Sequence, residues 1–172
     1  LDVVLEHLAA AGQDFQNLEA DIARTKVVVF VDVRSTDSGK AYFSGAGEDS
    51  LIRLTISEPA EQHLLVANGR AQLYRPLINL LEEHDLGERG EIAEFLMIGF
   101  GASNQSLRDD YDVALVGEEL LDGIQTSVLR LEPHSERFAG MFPTIQLWVD
   151  QSRWIPVQTR LNEAGGDYQI VK

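Results

Sequence analysis

Leu51-Ile52-Arg53-Leu54-Thr55-Ile56-Ser57, a break at Glu58-Pro59-Ala60, then His63-Leu64-Leu65-Val66-Ala67-Asn68-Gly69-Arg70-Ala71-Gln72-Leu73-Tyr74 is the stretch on which the fold turns. Ile52, Leu54 and Ile56 alternate with Arg53, Thr55 and Ser57, the period of two that gives a strand one greasy and one polar face. Asn68 and Gly69 both tolerate the positive φ of a type I′ turn, so the runs on either side of them form a hairpin. Successive strands with one apolar face each predict an antiparallel sheet, and that face must be closed upon itself or covered.

The pattern extends in both directions. Upstream lies a strand over Lys40–Ser44, and before it the alternation of Leu18, Ala20 and Ile22 runs into the β-branched stretch Lys26–Val33, which reads as one long strand. Leu1, Val4, Leu5, Leu8 and Ala11 precede Gly12 at helical spacing and predict a leading amphipathic helix. Downstream, Leu80–Asp85 is a further strand, after which the period becomes helical over Glu88–Phe100. There Ile92, Phe95, Leu96 and Gly99 share a face that Met97, Ile98 and Phe100 widen, and Gly99-Phe100-Gly101 ends the helix. Ser103 can cap a short second helix carrying Leu107 and ending before Tyr111.

Strands resume over Tyr111–Val116, Gln125–Leu131, Ile145–Asp150, Ile155–Leu161 and Tyr168–Val171, with a turn at Asp122-Gly123 and a helical insert over Ser135–Met141. Leu129 and Leu131 oppose Arg130 and Glu132, and Leu147 and Val149 oppose Gln146 and Trp148. The expected fold is α+β and mostly β: one domain over residues 1–172, with about ten or eleven strands in a large antiparallel sheet or barrel. The 88–100 helix is the natural cover for its apolar face. Alternation alone does not distinguish a filled interior from a hollow one.

Composition narrows the function. Among 172 residues, 28 acidic against 14 basic side chains give a net charge of −14, which repels nucleic-acid phosphates and anionic membrane surfaces. The absence of cysteine removes disulfides, thiolate metal sites and cysteine nucleophiles. The longest apolar stretch, Val27–Val31, is strand-sized, and the sequence opens on Leu1, so a soluble form with its export leader removed is expected. His7, His63, His84 and His134 show no metal-ligand spacing, no Gly-x-Ser-x-Gly elbow occurs, and Gly99-Phe100-Gly101 lacks the third glycine of a dinucleotide loop. Glu82-Glu83, Asp109-Asp110 and Glu118-Glu119 read as solvated surface rather than acid/base pairs. Trp148 and Trp154 read as hairpin packing rather than a sugar site. No cofactor, metal or catalytic residue is expected.

The ordered segments 58–76, Ala93-Glu94-Phe95-Leu96-Met97-Ile98-Gly99-Phe100-Gly101, and Leu147-Trp148-Val149-Asp150 followed by Trp154-Ile155-Pro156-Val157-Gln158 resemble the LolA-type outer-membrane lipoprotein-sorting family over nearly the whole chain. The resemblance implies an antiparallel sheet curved into an incomplete β-barrel, with an apolar cavity under a helical lid over Glu88–Asp110. It also implies a periplasmic carrier that takes lipoprotein acyl chains, or another lipid, from an inner-membrane ABC exporter to an outer-membrane acceptor. A lipid-sensing periplasmic regulator of the same fold is the alternative.

Candidate cavity residues are then Ile52, Leu54, Ile56, Leu64, Val66 and Leu73 in the first strands, and Leu129, Leu131 and Leu147 in the later ones. Phe95, Leu96, Ile98 and Phe100 would line the lid, with Gly99 and Gly101 as its hinges. One departure stands out: an Arg-Pro latch that holds the lid in the family has no counterpart at Tyr42-Phe43-Ser44-Gly45-Ala46-Gly47.

Overall fold

The computed structural model describes residues 1–13, 17–44, 51–85, 98 and 104–172. Among these described residues, eleven strands form one antiparallel sheet: β1 (Asn17–Val28), β2 (Val33–Ser44), β3 (Leu51–Glu58), β4 (Gln62–Ala67), β5 (Arg70–Arg75), β6 (Leu80–Asp85), β7 (Tyr111–Leu121), β8 (Ile124–Pro133), β9 (Thr144–Asp150), β10 (Pro156–Asn162) and β11 (Tyr168–Val171). Helix α1 (Asp2–Gln13) leads the chain, α2 (Asn104–Asp110) precedes β7, and α3 (Glu136–Met141) separates β8 from β9. The strand order is β6-β5-β4-β3-β2-β1-β11-β10-β9-β8-β7, so the sheet is open, with β6 and β7 at its two ends. The expected class, mostly β with an unclosed antiparallel sheet, is the one observed. The 88–100 helix lies outside the described residues except for Ile98, which is buried.

Turn chemistry explains most of the connections. Asn68 and Gly69 have φ of 52° and 69°, and Asp122 and Gly123 have 50° and 87°, as type I′ hairpins require. At the β2–β3 irregularity, a Cβ on Gly39 would lie 1.9 Å from the Thr55 carbonyl oxygen, so only glycine lets the two backbones approach. The single long strand expected over Leu18–Val33 is corrected. Val29–Val31 form a 3₁₀ turn, Asp32 takes the left-handed conformation (φ 48°, ψ 42°), and its N–H bonds the Val29 carbonyl at 3.3 Å, reversing the chain into β2. Aspartate visits that region more readily than a β-branched residue, so Asp32 outweighs the strand preference of the valines around it. The β5–β6 connection repeats the device, with Pro76–Ile78 in the 3₁₀ turn and Asn79 at φ 48°, ψ 45°.

The chain divides into two compact units. The first comprises Leu1–Asp14, Arg24–Ser35 and Gly99–Lys172. Its core contains Leu5 and Leu8 of α1, Leu107 of α2, Leu129 and Leu131 of β8, Ile145, Leu147 and Val149 of β9, and Leu161 of β10, all at most 3% exposed. Asp2 of α1 pairs with Arg108 of α2, and the His7 ring stacks on Trp154 at 4.2 Å.

The polar face expected opposite Leu147 is corrected for Trp148. Its side chain is buried, with its indole N–H donating to Glu119 Oε2 at 2.8 Å, and Val128 beside it is buried too. Strands β8 and β9 are thus covered on both faces, which strict alternation does not reveal.

His134 closes the C-terminal end of α2. Its backbone N–H donates to the Asp110 carbonyl at 2.9 Å, and its ring places Nδ1 2.8 Å from the Asp109 carbonyl and Nε2 3.1 Å from Asp112 Oδ1. Both partners are acceptors, so both ring nitrogens donate only in the imidazolium form. The Asp109 bond first, and Asp112 second, raise the His134 pKa above its ordinary 6.5. A raised folded pKa means that this contribution to stability is fully present at acidic pH and is lost as pH rises through the folded value. In an NMR titration, His134 is expected to deprotonate later than a free histidine, and Asp112→Asn to move its midpoint back down.

Candidate binding face

The second unit, Phe15–Ala23 and Thr36–Ile98, carries the face that the opening stretch of sequence points to. Pairing registers align the side chains in rows across its strands. One row is Phe43, Ile52, Val66, Ala71 and His84; the next is Ala41, Leu54, Leu64, Leu73 and Glu82. Phe43, Ile52, Val66 and Ala71 are at most 8% exposed, whereas Leu54, Leu64 and Leu73 are half-buried. Leu18 and Ile22 of β1 pack against the same cluster. The apolar surface is therefore graded, sealed along one row and partly open along the next.

This face ends at a polar margin. Glu82, half-buried, closes the Leu73 row and pairs with Arg75, so a neutralised ion pair borders the leucines. Such a border can meet the polar end of an amphiphile without leaving a lone charge against hydrocarbon.

The opposite face of the same strands is mostly polar. A shallow open groove of 660 Å³ is lined there by Asp21, Lys40, Tyr42, Arg53, Thr55 and His63, among others. The Arg53 guanidinium lies 4.1 Å from the centre of the Tyr42 ring. Lys40 Nζ sits 3.2 Å from both Glu19 Oε1 and Asp21 Oδ1, and these carboxylates hold its pKa above the usual 10.5. Polar side chains thus predominate on this face, which also carries Leu65 in register with Arg53 and Gln72, while His84 and Glu82 end the two apolar rows.

The sequence-derived candidates divide accordingly. Ile52, Leu54, Leu64, Val66 and Leu73 come together on the graded face, with Ile56 half-buried at the Gln62 register. Leu129, Leu131 and Leu147, each at 0% exposure, are sealed in the core of the first unit. Phe95, Leu96, Phe100, Gly99 and Gly101 lie outside the described residues. Sequence reasoning passed over Ala41 and Phe43, whose alternation within Lys40–Ser44 marks them for the same face, and the Arg75–Glu82 pair, which only the β5–β6 register brings together. Among the described residues no group of three or more histidines and carboxylates could hold a metal ion, and no helix is long and apolar enough to cross a membrane.

Neither the protein-family models nor the curated proteins yield a match to this sequence. Solved structures do. MucB, also solved with MucA from Pseudomonas aeruginosa, matches at a TM-score of 0.59 and 18% identity over 99% of this chain and 56% of its own. An outer membrane lipoprotein-sorting protein domain from Vibrio parahaemolyticus matches at 0.52 and 11%, over 99% and 88%. The Mycobacterium tuberculosis lipoprotein LppX matches at 0.53 and 12%, over 99% and 93%. This chain thus spans little more than half of MucB and most of the other two. The fold is LolA-like and is shared with these solved structures.

Proposed function

We propose that the chain is a periplasmic carrier, without catalytic activity, that binds the acyl chains of a lipoprotein or another lipid and delivers them toward the outer membrane. One observation carries this reading: Leu54, Leu64 and Leu73 stay half-open beside a sealed apolar row and end at the Arg75–Glu82 pair. A stored acyl chain gains about 0.8 kcal/mol for each methylene taken from water, so a partly open row of leucines is a suitable place for it. The Glu88–Asp110 segment, with Phe95, Leu96, Ile98 and Phe100, is the proposed lid, and Gly99 and Gly101 its hinges. An inner-membrane ABC exporter as donor and an outer-membrane acceptor complete the proposal.

Extraction of the purified protein followed by lipid mass spectrometry, together with titration of a fluorescent fatty-acid probe, tests this reading. Co-purified acyl lipid, or saturable probe binding weakened by Leu64→Gln, is the expected result. Folded protein that neither carries lipid nor takes up probe would refute it. The likeness to MucB supports a second reading, a lipid-responsive regulator, in which lipid binding alters a protein complex instead of feeding a membrane.

A further inference from the structure

Two reversals of the chain push apolar side chains into water. In the first unit Val29, Phe30, Val31 and Val33 are 54%, 97%, 57% and 52% exposed; in the second, Leu77, Ile78, Leu80 and Leu81 are 79%, 64%, 39% and 54% exposed. Single exposed aliphatic residues are ordinary, but four together at a tight turn are not, because polar turn residues would serve the fold as well. The tip side chains do not hold these turns in shape. That task falls to Asp32 and Asn79 in their left-handed conformation, to the Val29 amide bonded to Asp167 Oδ1 at 3.0 Å, and to the Tyr74 hydroxyl donating to Asn79 Oδ1 at 3.3 Å.

Each turn has the same division of labour. Val29–Val31 and Pro76–Leu81 contain no charge; Asp32, exposed, closes the first turn between Val31 and Val33, and the mutually neutralising Arg75 and Glu82 flank the second. A projecting apolar knob above a polar base suits a partner that flows around it, with hydrocarbon above and hydrated headgroups below. We propose that each turn is a membrane-contact tip that inserts into the outer few ångströms of a lipid bilayer. With a net charge of −14, the chain selects a zwitterionic surface over an anionic one. This inference goes beyond the carrier reading: the Arg75–Glu82 pair borders both features, but Phe30, Leu77 and Ile78 belong to no row of the graded face.

Co-flotation of the full chain with phosphatidylcholine vesicles is the test. The wild type is expected to float, and Phe30→Ser and the pair Leu77→Ser with Ile78→Ser are each expected to lower the bound fraction about tenfold. Both sets of positions are exposed, so Tm and fatty-acid probe affinity should stay as in wild type, which separates failure here from failure of the carrier reading. Phe30→Trp should add blue-shifted emission that brominated phosphatidylcholine quenches. Replacing part of the phosphatidylcholine with phosphatidylglycerol should weaken binding at low salt. The proposal is overturned if the folded wild type does not float, if the serine variants float equally well, if vesicles leave the emission of the Phe30→Trp variant unmoved, or if phosphatidylglycerol strengthens binding. A protein groove as the true partner would appear as the first of these results.

Discussion

Leu129→Ala and Leu147→Ala are each expected to lower the unfolding free energy by about 3–4 kcal/mol, whereas Leu54→Ala and Leu64→Ala should cost only about 1 kcal/mol and weaken acyl-probe binding instead. The contrast follows from burial. Leu129 and Leu147 pair across β8 and β9, and both are fully enclosed, so truncation loses the transfer free energy and leaves a cavity. Leu54 and Leu64 pair across β3 and β4 while half-exposed, so water fills the space they vacate. Urea unfolding read alongside probe titration separates the two classes. If Leu64→Ala proved as destabilising as Leu147→Ala and left probe affinity untouched, the graded face would be core and the carrier reading would lose its support.

The second large effect belongs to Asp150, at the turn from β9 to β10. Its carboxylate is buried, which by itself raises its pKa. Hydrogen bonds from the Ser152 hydroxyl and N–H, both at 2.7 Å, and from Arg153 Nε at 2.7 Å and N–H at 3.3 Å outweigh that, bringing the pKa from 3.8 down to about 2. A depressed folded pKa contributes stability that is present above about pH 4 and lost as pH falls toward about 2. Asp150→Asn should therefore cost about 2 kcal/mol at neutral pH and flatten the acid limb of stability over that interval. The same carboxylate shapes a turn in which Trp154 sits at φ 56° and stacks on His7, so loss of the charge should also loosen α1. Chemical denaturation of both proteins across the acid range checks this, and parallel pH profiles would contradict it.

Much of the fold could be read from residues because the decisive signals are local. Ile52-Arg53-Leu54-Thr55-Ile56, Asn68-Gly69 and Asp122-Gly123 each carry their geometry within a few positions, and the structure places strands and turns there. Ser135 heads α3 as a cap should, its hydroxyl accepting from the Phe138 N–H at 3.4 Å. What alternation could not supply was the far side of each strand. Trp148 looks solvent-facing in sequence because Leu147 looks core-facing, yet β8 and β9 are covered on both faces. Lys26–Val33 misled for a different reason: valine preference is cumulative, whereas one aspartate at Asp32 reverses the chain. Comparing Val29-Phe30-Val31-Asp32-Val33 with Pro76-Leu77-Ile78-Asn79-Leu80 would have exposed it, since three apolar or proline residues, an Asx and another apolar residue recur at both turns.

For the candidate site, sequence supplied the apolar half. The rows Ile52–Val66 and Leu54–Leu64–Leu73 follow from alternation once the hairpins are known, but the gradient along them depends on what each residue meets in space. The ion pair that borders them joins residues on two strands, and only the register reveals it.

Among the described residues, a sheet that does not close leaves the two end strands of its order with one neighbour each, and β6 is one of them. Bare N–H and C=O groups along such a rim invite another chain to add itself. β6 sets Glu82, Glu83 and Asp85 within six residues and includes no lysine or arginine. Two copies meeting rim to rim bring like charges together, so this strand discourages polymerisation of its own kind. Acid or concentrated salt weakens that protection, so strand-by-strand assembly at this rim is expected to increase under those conditions, as light scattering would register.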